Sequence, residues 1–328
     1  RPMLVRTYSG TTHIKELANM YEDTINNAWH ALSLWWFSQL DGRGPNALLD
    51  NLKEHFDTIR TIASTGKPYE PNVSHHFAFR GSDDITYVGS AVLAARAAKK
   101  LGIRDFVLQI MLNDPKTTWG VCDLAKARAI LALIRPLEDN GFRIILQTRA
   151  GLDVLSHEEE KAKRQLAAIT ALMDDIEPQN THSPDLIHVV SYSEGQKLAT
   201  PRIIDESIRI TRLALDQYRG LKKKGDVDEL SGHPDVEARM HVLIQGATEV
   251  LTTIEKSIAN PYTPQGFYEI FKAGFLPVPQ LMGCRAEFPE AVRWQTKIRN
   301  GRVDIYEDGN ILTPTERMRF IKEEVLRT

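Results

Sequence analysis

The sequence predicts an α/β protein, specifically a (β/α)8 TIM barrel with a C-terminal extension. Short apolar segments alternate along the chain with long amphipathic ones, eight times in all, as strands and helices do in a barrel. The 328 residues leave room for a barrel, which typically needs about 250 residues. No G-x-G-x-x-G follows the first apolar segment and no P-loop occurs, which disfavours the main rival, a doubly wound open sheet.

Each predicted strand is mainly apolar or rich in β-favouring side chains, as a parallel sheet covered on both faces requires. The eight segments are residues 4–8, 31–37, 76–79, 106–112, 142–148, 186–192, 241–245 and 275–281. In a barrel, the carboxyl ends of all eight would open on one rim, where the chemistry of such proteins lies.

Helical patterns fill the gaps between these segments. An Ala-rich helix is expected to stop before Gly102, because glycine commonly follows a helix end. Thr200 followed by Pro201 supplies a good N-cap and first helical residue. The predicted helices are residues 85–101, 123–137, 158–174, 200–218 and 248–259, while 236–239 is too short to assign.

The pattern changes after the eighth segment. Residues 285–299 have a helical pattern, and the sequence GRVDIYEDGN that follows resembles a small hairpin or turn. We therefore divide the chain into a catalytic barrel, residues 1–284, and a C-terminal helical and hairpin extension, residues 285–328.

Composition excludes several classes of function. The net charge of −2 argues against a nucleic-acid binder. Two distant cysteines cannot form a disulfide framework or a zinc site, so a reduced, cytoplasmic setting is the simplest expectation. No segment has 18 uncharged apolar residues, as a membrane span needs. The first residues lack both a signal-peptide pattern and an initiator Met, as expected of a fragment or a segment of a longer product.

Polar residues and glycines follow nearly every predicted strand. Arg43, Arg80 and Arg149 end three different strands. The planar guanidinium group suits carboxylate or phosphate, so the rim is expected to bind an anionic substrate with more than one carboxylate.

Local ion pairing is the alternative explanation for these arginines. Arg43 has Asp41 nearby in sequence, and Arg80 has Asp83 and Asp84. Either arrangement would neutralise the guanidinium group without a ligand.

Other strand ends add weaker candidates. Tyr192 and Glu194 follow the sixth predicted strand, and Gln245 ends the seventh. We assign Tyr192 and Glu194 as catalytic and Gln245 as substrate-binding, although Glu194 could equally bond backbone amides. His75 and His76 precede their predicted strand and are expected at the end opposite the rim. No metal-ligand spacing accompanies them, so no metal site is predicted.

Three short motifs resemble a known family. The opening RPMLVRTYSGTTHIKELANMYEDTI resembles the start of the catalytic barrel in adenosylcobalamin-dependent acyl-CoA mutases, approximately R-P-W-T-I-R-Q-Y-A-G-F in the methylmalonyl-CoA mutase type. LDGRGPN stands at that family's T-H-R-G-Y-D turn. FRGSDD, with the Ala-rich helix and LGI, is similar to the R-H-G-T-P-D turn and helix of the glutamate mutase large subunit. The matching residues are Arg1, Pro2, Arg6, Tyr8, Gly10, Arg43, Gly44, Arg80, Gly81, Ser82 and Asp84.

The resemblance implies a radical isomerase whose rim faces adenosylcobalamin, the cofactor that supplies the radical. By position, Tyr8 resembles the tyrosine between substrate and cofactor, and Arg43 and Arg80 resemble substrate-carboxylate contacts. The chain contains no D-x-H-x-x-G cobalamin-ligand motif, so the cofactor would be bound mainly by a separate domain or subunit. Glycines at the strand ends would let the backbone approach the cofactor; they are Gly10, Gly44 and Gly81.

The leading hypothesis is the catalytic component of an adenosylcobalamin-dependent mutase that rearranges the carbon skeleton of a small carboxylic or dicarboxylic acid. It predicts an oligomer with a cobalamin-binding partner. One alternative is a cobalamin-independent TIM-barrel lyase or aldolase for an anionic substrate, with Glu194 or Asp114 as base. The others are a subunit of a CoA-ester mutase and a structural subunit that supports a partner.

Overall fold

A six-stranded parallel sheet forms the centre of the molecule, and a separate three-stranded antiparallel sheet lies near the C-terminus. The computed structural model describes residues 3–8, 10–227 and 230–326. Arg1 and Pro2, which contribute to the family resemblance, lie outside the described residues. The strands are β1 (Val5–Tyr8), β2 (Asn27–Leu32), β3 (Tyr69–Pro71), β4 (Asp105–Leu112), β5 (Arg143–Ala150), β6 (Leu186–His188), β7 (Gln295–Arg299), β8 (Arg302–Glu307) and β9 (Asn310–Ile311).

Helices follow most strands of the large sheet. They are α1 (Ile14–Thr24), α2 (Leu48–Thr65), α3 (Ser74–Ala78), α4 (Asp84–Lys100), α5 (Val121–Ile134), α6 (Glu159–Asp174), α7 (Pro201–Lys224), α8 (Pro234–Ser257), α9 (Pro264–Lys272) and α10 (Pro314–Phe320). The predictions of α4, α5, α6 and α7 are confirmed to within a few residues at most ends. The predicted cap of α7 is also present: the Thr200 hydroxyl accepts a hydrogen bond from the Ile203 amide.

The prediction of a closed eight-stranded barrel is wrong. The strands follow one another in the sheet in chain order, β1 to β6, all parallel, and form an open half-barrel. Right-handed connections between sequential parallel strands place the helices on one face, as in the wall of a barrel. The order has no reversal of the kind that defines a doubly wound sheet. The molecule is therefore α/β with an incomplete barrel wall.

Two predicted strands do not exist. The seventh, residues 241–245, lies inside the 24-residue helix α8, and the eighth, residues 275–281, is a loop. Gln245 is consequently an exposed helical residue and does not end a strand. Short apolar runs in a buried helix and in a strand have the same appearance in sequence, which explains both errors.

Two further strands are displaced from their predicted positions. The second begins at Asn27 and ends where Leu34 and Phe37 adopt positive φ of 55° and 63°, so the WW segment is a buried loop. The third is only the three residues Tyr69–Pro71, and the segment HHFA that follows is helix α3. His75 and His76 therefore lie beyond the carboxyl end of β3, on the rim, contrary to the prediction.

The two faces of the large sheet differ in chemistry. On β4, Phe106, Leu108 and Ile110 belong to the main hydrophobic core against the helices. On the opposite, concave face, Gln109 donates to the Gln147 side chain of β5 at 2.8 Å. A complete barrel would fill this inner face with side chains from eight strands; here the concave face carries a polar layer.

A second layer of helices covers the first. Helix α8 packs on α4 and α5, α7 packs on α6, and α9 packs on α2. Most residues of α4 are therefore buried on all sides, which accounts for its Ala-rich sequence without a polar stripe. Among the described residues, no helix combines the length and apolar content needed to cross a membrane.

The C-terminal part is attached through buried ion pairs. Arg317 on α10 lies 3.3 Å from Asp83, just before α4, and both side chains are at most 5% exposed. Arg239 on α8 bridges Asp84, at 2.8 Å, and Asp304 on β8, at 3.1 Å. The hairpin predicted for GRVDIYEDGN is confirmed as β8 and β9. The predicted helix 285–299 is wrong, because its last five residues form strand β7.

We predict that Arg317→Met lowers the free energy of unfolding by about 3–5 kcal/mol, because it leaves the Asp83 carboxylate buried without its cation. Urea unfolding followed by circular dichroism measures the change. Arg319→Met is the matched control, because Arg319 is exposed on the same helix and should change the free energy by less than about 0.5 kcal/mol. Equal unfolding midpoints for the two variants would contradict the prediction.

Candidate active site

The carboxylate of Glu70 is the centre of the polar concave face. Glu70 lies on β3 and is fully buried. Arg6 of β1 donates to both carboxylate oxygens, at 2.8 Å and 2.5 Å, and Trp29 of β2 donates through Nε1 at 2.6 Å. The remaining donors are the side-chain amides of Asn72, Gln109 and Gln147, at 2.9, 2.8 and 3.2 Å.

This set of donors keeps Glu70 ionised. Burial by itself would raise the pKa of the Glu70 carboxyl. The hydrogen bonds and charge of Arg6, together with the donation from Trp29, outweigh burial and hold that pKa below its ordinary value. The concave face thus contains a buried ion pair whose position is set by five donors, on β1, β2, β4, β5 and the loop after β3.

Tyr8 lies at the carboxyl end of β1, between Glu70 and the rim. Its hydroxyl is 3.4 Å from Nε2 of His76, and its ring meets the Phe37 ring edge-on at 5.3 Å. The guanidinium of Arg6 is 5.3 Å from the centre of the Tyr8 ring. Burial raises the pKa of Tyr8 well above its usual range, so its hydroxyl stays protonated and is available as a hydrogen-bond donor.

Arg43 and Arg80 share a single carboxylate, that of Asp41. Arg43 contacts Asp41 Oδ2 at 2.5 Å and Arg80 contacts the same atom at 3.0 Å. The guanidinium of Arg80 also lies over the Trp36 ring at 4.2 Å. The local pairing of Arg43 with Asp41 is confirmed. The pairing of Arg80 with Asp83 or Asp84 is wrong, because both acids point to the buried ion pairs of the C-terminal part.

Arg149, at the end of β5, has no such partner. No carboxylate of the described residues forms an ion pair with its guanidinium, whose one hydrogen bond, to the Ala150 carbonyl, is long at 3.4 Å. Burial, and then the charge of Arg6, lower the pKa of Arg149. Glu194 lies close enough to oppose that effect electrostatically. The structure therefore brings two predicted residues, Arg149 and Glu194, into one electrostatic environment.

Three histidines complete the cluster, and sequence reasoning missed all of them as site residues. His75 and His76 lie on α3, and His188 ends β6 beside Arg149 in the strand register. Burial and the surrounding arginines lower the pKa of each, to about 4 for His188 and well below the usual value for the other two. All three are therefore neutral near pH 7. The signal available in the sequence was the presence of histidines after one strand, β3, and at the end of another, β6.

The arginines whose charges lower the pKa values of these histidines lie close to them. Arg149, Arg43 and Arg6 all influence His75, and Arg43, Arg80 and Arg149 all influence His76. Of the three predicted arginines, only Arg149 lies at the end of a strand; Arg43 lies in the loop between β2 and α2, and Arg80 follows helix α3. Their role in substrate binding stays a prediction. We call the group the arginine rim; it comprises Arg6, Tyr8, Asp41, Arg43, Glu70, His75, His76, Arg80, Arg149 and His188.

Two predicted residues lie outside the arginine rim. The Tyr192 hydroxyl donates to Glu206 of α7 at 2.7 Å, and Lys163 of α6 lies 5.0 Å from its ring, so it joins two outer helices. Gln245 is exposed on α8, in the second layer.

The predicted cofactor-binding glycines have reasons within the chain to be glycine. A Cβ at Gly44 would lie 2.1 Å from the Phe37 carbonyl oxygen, and one at Gly81, where φ is +75°, would meet Gln280 at 2.8 Å. At Gly10 a Cβ would be 3.1 Å from Leu17. Close approach of protein to protein explains these residues without a ligand.

The arginine rim suits the binding of an acid more than metal chemistry. Within the described ranges, no three His, Cys, Asp or Glu side chains are grouped so as to hold a metal ion. The rim instead offers guanidinium groups, a protonated phenol and neutral imidazoles. Nδ1 of His76 is buried and has no hydrogen-bond partner in the described part of the chain. Guanidinium groups bind and orient a carboxylate. The protonated phenol and the neutral imidazoles surround it with hydrogen-bonding groups that carry no charge.

Comparison with known proteins adds no assignment to this geometry. No protein-family model matches the sequence, and no curated protein matches it either. The interpretation of the arginine rim therefore depends on its residues and their surroundings.

We predict that His188→Gln reduces the loss of stability on acidification. Because burial lowers the pKa of His188 from about 6.5 to about 4, the unfolded chain binds a proton between these values that the folded chain does not. Stability should therefore be unaffected above about pH 6.5 and fall as the pH drops towards 4, with uptake of about one proton for this residue.

Urea unfolding at several pH values between 4 and 7.5 tests this prediction. His182→Gln is the control, because His182 is exposed. Its pH slope should match that of the parent protein, whereas His188→Gln should be shallower. The same slope for all three proteins would contradict the neutral state of His188.

Proposed function

We propose that the chain is the catalytic component of an adenosylcobalamin-dependent mutase that rearranges a small carboxylic or dicarboxylic acid. The observation that carries the proposal is the half-buried guanidinium of Arg149, which has no ionic partner among the described residues. It lies beside His188 in the strand register and acts electrostatically on the neutral His75 and His76. The resemblance of the opening segment to the mutase family adds the cofactor.

The charge balance of the arginine rim favours an acidic substrate. Its four guanidinium groups face two buried carboxylates, Glu70 and Asp41. Glu194 influences Arg149 but forms no ion pair with it. A ligand carrying one or two carboxylates would restore the balance, and hydrogen bonds from arginine to carboxylate are strong in a site screened from water. Neutral His75 and His76 add donors without adding further charge.

The residues present fit a large neutral cofactor over the rim. Tyr8 and His76 provide hydrogen-bonding groups, and the exposed ring of Phe79, 39% accessible, provides an apolar surface next to them. Nδ1 of His76, which has no hydrogen-bond partner among the described residues, is a further polar group at this position. When bound, adenosylcobalamin supplies the radical chemistry. The chain's own part would be to hold the acid through arginines, orient it with Tyr8 and keep water out.

The open half-barrel supports the expectation of a partner. The six strands do not close into a barrel, so β1 and β6 are edge strands of the sheet, and the cobalamin-ligand motif is absent from the sequence. We propose that a cobalamin-binding subunit or domain covers the rim side of the sheet, in a reduced intracellular setting.

The second candidate is a cobalamin-independent lyase or aldolase acting on an anionic substrate. One observation favours it: Asp114, at the end of β4, is fully buried, its Oδ2 has no partner within the described ranges, and burial raises its pKa well above the usual value. A protonated carboxyl of this kind is a candidate general acid. Glu194 beside Arg149 is the candidate base.

Electron paramagnetic resonance separates the two candidates. The purified chain is combined with a cobalamin-binding partner and adenosylcobalamin, and small mono- and dicarboxylic acids are added in turn. The mutase predicts a cob(II)alamin signal that requires an acid. Turnover of an acid without adenosylcobalamin, abolished by Asp114→Asn, would support the lyase or aldolase instead. No signal and no cofactor binding with any acid would end the mutase proposal.

We predict that Arg149→Ala lowers kcat/KM by about tenfold to a few hundredfold, since a charged hydrogen bond to substrate contributes about 1.5–3 kcal/mol. Steady-state kinetics measures the effect. Arg143→Ala is the control, because Arg143 lies at the other end of the same strand in an exposed pair with Asp105. Unchanged kcat/KM for Arg149→Ala would show that the rim does not bind the substrate through this residue.

A further inference from the structure

A cavity lies outside the arginine rim, between the β4–α5 loop and helix α6. Its volume is about 480 Å³, and its walls carry Lys116, Thr118 and Trp119 from the loop. Lys161, Arg164 and Gln165 come from α6. Because these three helical residues are spaced by three and four positions, they share one face of the helix. We call this cavity the α6 groove.

The cations of the α6 groove are largely without acidic partners. Lys161 and Arg164 form no ion pair with any described residue, and Lys116 has only Asp153 at 3.7 Å, with both side chains more than half exposed. The other side of the same helix is different. Lys163 pairs with Glu159, Glu160 and Glu206 at 3.1, 3.3 and 2.8 Å.

The positive charge of α6 is therefore neutralised on the side that faces α7 but not on the side that faces the groove. Uncompensated cations that face one another across a cavity raise its positive potential. Arginine and lysine together suit phosphate groups, which carry several charges in a small volume.

Trp119 gives the α6 groove its second property. It is 51% exposed, whereas Trp35 and Trp36 are fully buried. A large ring left in contact with solvent beside free cations provides a stacking surface for another flat ring. The buried hydroxyl of Thr118, whose residue lines the groove, has no hydrogen-bond partner in the described part of the chain. It offers a polar contact to whatever occupies the cavity.

Part of the groove's lining is apolar. Val154 and the buried Ile169 supply apolar surface. The Gln165 side chain holds the backbone of the β5–α6 loop: it donates to the Val154 carbonyl at 3.1 Å and accepts from the Ser156 amide at 2.7 Å. The volume is within the range of about 300–1,000 Å³ that small-molecule sites occupy.

We propose that the α6 groove binds a phosphorylated heteroaromatic molecule of the size of a mononucleotide. Its ring stacks on Trp119, its phosphate groups lie between Arg164 and the two lysines, and its ribose or equivalent linker covers the apolar part of the lining. The site is separate from the arginine rim and does not depend on the activity proposed for it. The overall charge of −2 favours a free small molecule over a nucleic-acid strand.

Isothermal titration of the full chain with ADP, adenosine and pyrophosphate at constant ionic strength tests the proposal. We expect ADP to bind at one site, and adenosine and pyrophosphate each to bind at least about tenfold more weakly, because each carries only half of the recognised chemistry. No heat with ADP at millimolar concentration would overturn the proposal. So would pyrophosphate binding as tightly as ADP, or a single-stranded oligonucleotide displacing ADP at lower concentration.

Variants locate the binding. Arg164→Ala and Trp119→Ala should each weaken ADP binding at least about tenfold, whereas Trp119→Phe should retain most of it. Arg212→Ala is the matched control. Arg212 lies exposed on the neighbouring helix α7 and forms no ion pair with any described residue. Equal losses for Arg164→Ala and Arg212→Ala would show a diffuse charge effect and overturn the site. Thermal melting that coincides with the parent confirms that each variant is folded.

Discussion

The architecture of the large sheet depends on the burial of one ionised carboxylate. Glu70 on β3 receives hydrogen bonds from donors on β1, β2, β4 and β5. A buried charge is tolerated only when such donors surround it, so these strands must keep their register for Glu70 to remain in place. Because its donors occupy the concave face, that face cannot be filled by the layered aliphatic side chains of a closed barrel. The same constraint that orders the sheet therefore leaves its inner side polar and holds Arg6 and Tyr8 at the rim.

The parts of the fold that were predictable have strong local signals. Strands β4 and β5 are eight residues long, and each contains a run of three consecutive apolar residues. Helix α7 has its Thr–Pro start. Strand β3 has only three residues, one of them a buried glutamate, so it lacks the hydrophobic period that identifies strands. Helix α8 is buried along one side against two helices, and a five-residue apolar part of it resembled a strand. Tertiary packing, and not the local sequence, determines that β3 is a strand and that residues 241–245 are helical.

The sequence identified Tyr8, Arg43, Arg80 and Arg149 but not the other members of the candidate site. The three arginines all act electrostatically on His76, although only Arg149 lies at the end of a strand. The role of Glu70 depends on donors that are distant in sequence, up to 77 residues away for Gln147, and no local pattern reports such a network. His75 and His76 were assigned to the wrong end of a strand because the run HFAF fits one helical turn as well as four extended residues. The glycines indicated tight turns correctly, but their neighbours are other parts of the chain.

The buried ion pairs of the C-terminal part have a consequence for synthesis of the chain. Each strand of the large sheet pairs with the next one along the sequence, so the sheet is able to assemble as the chain emerges. Asp83, by contrast, pairs with Arg317, which lies 234 residues later. Asp84 pairs with Lys126 at 3.6 Å and also with Arg239, which lies 155 residues later. Until α10 has been synthesised, Asp83 therefore lacks its cation. In a nascent chain, the start of α4 therefore remains hydrated until α10 has been made.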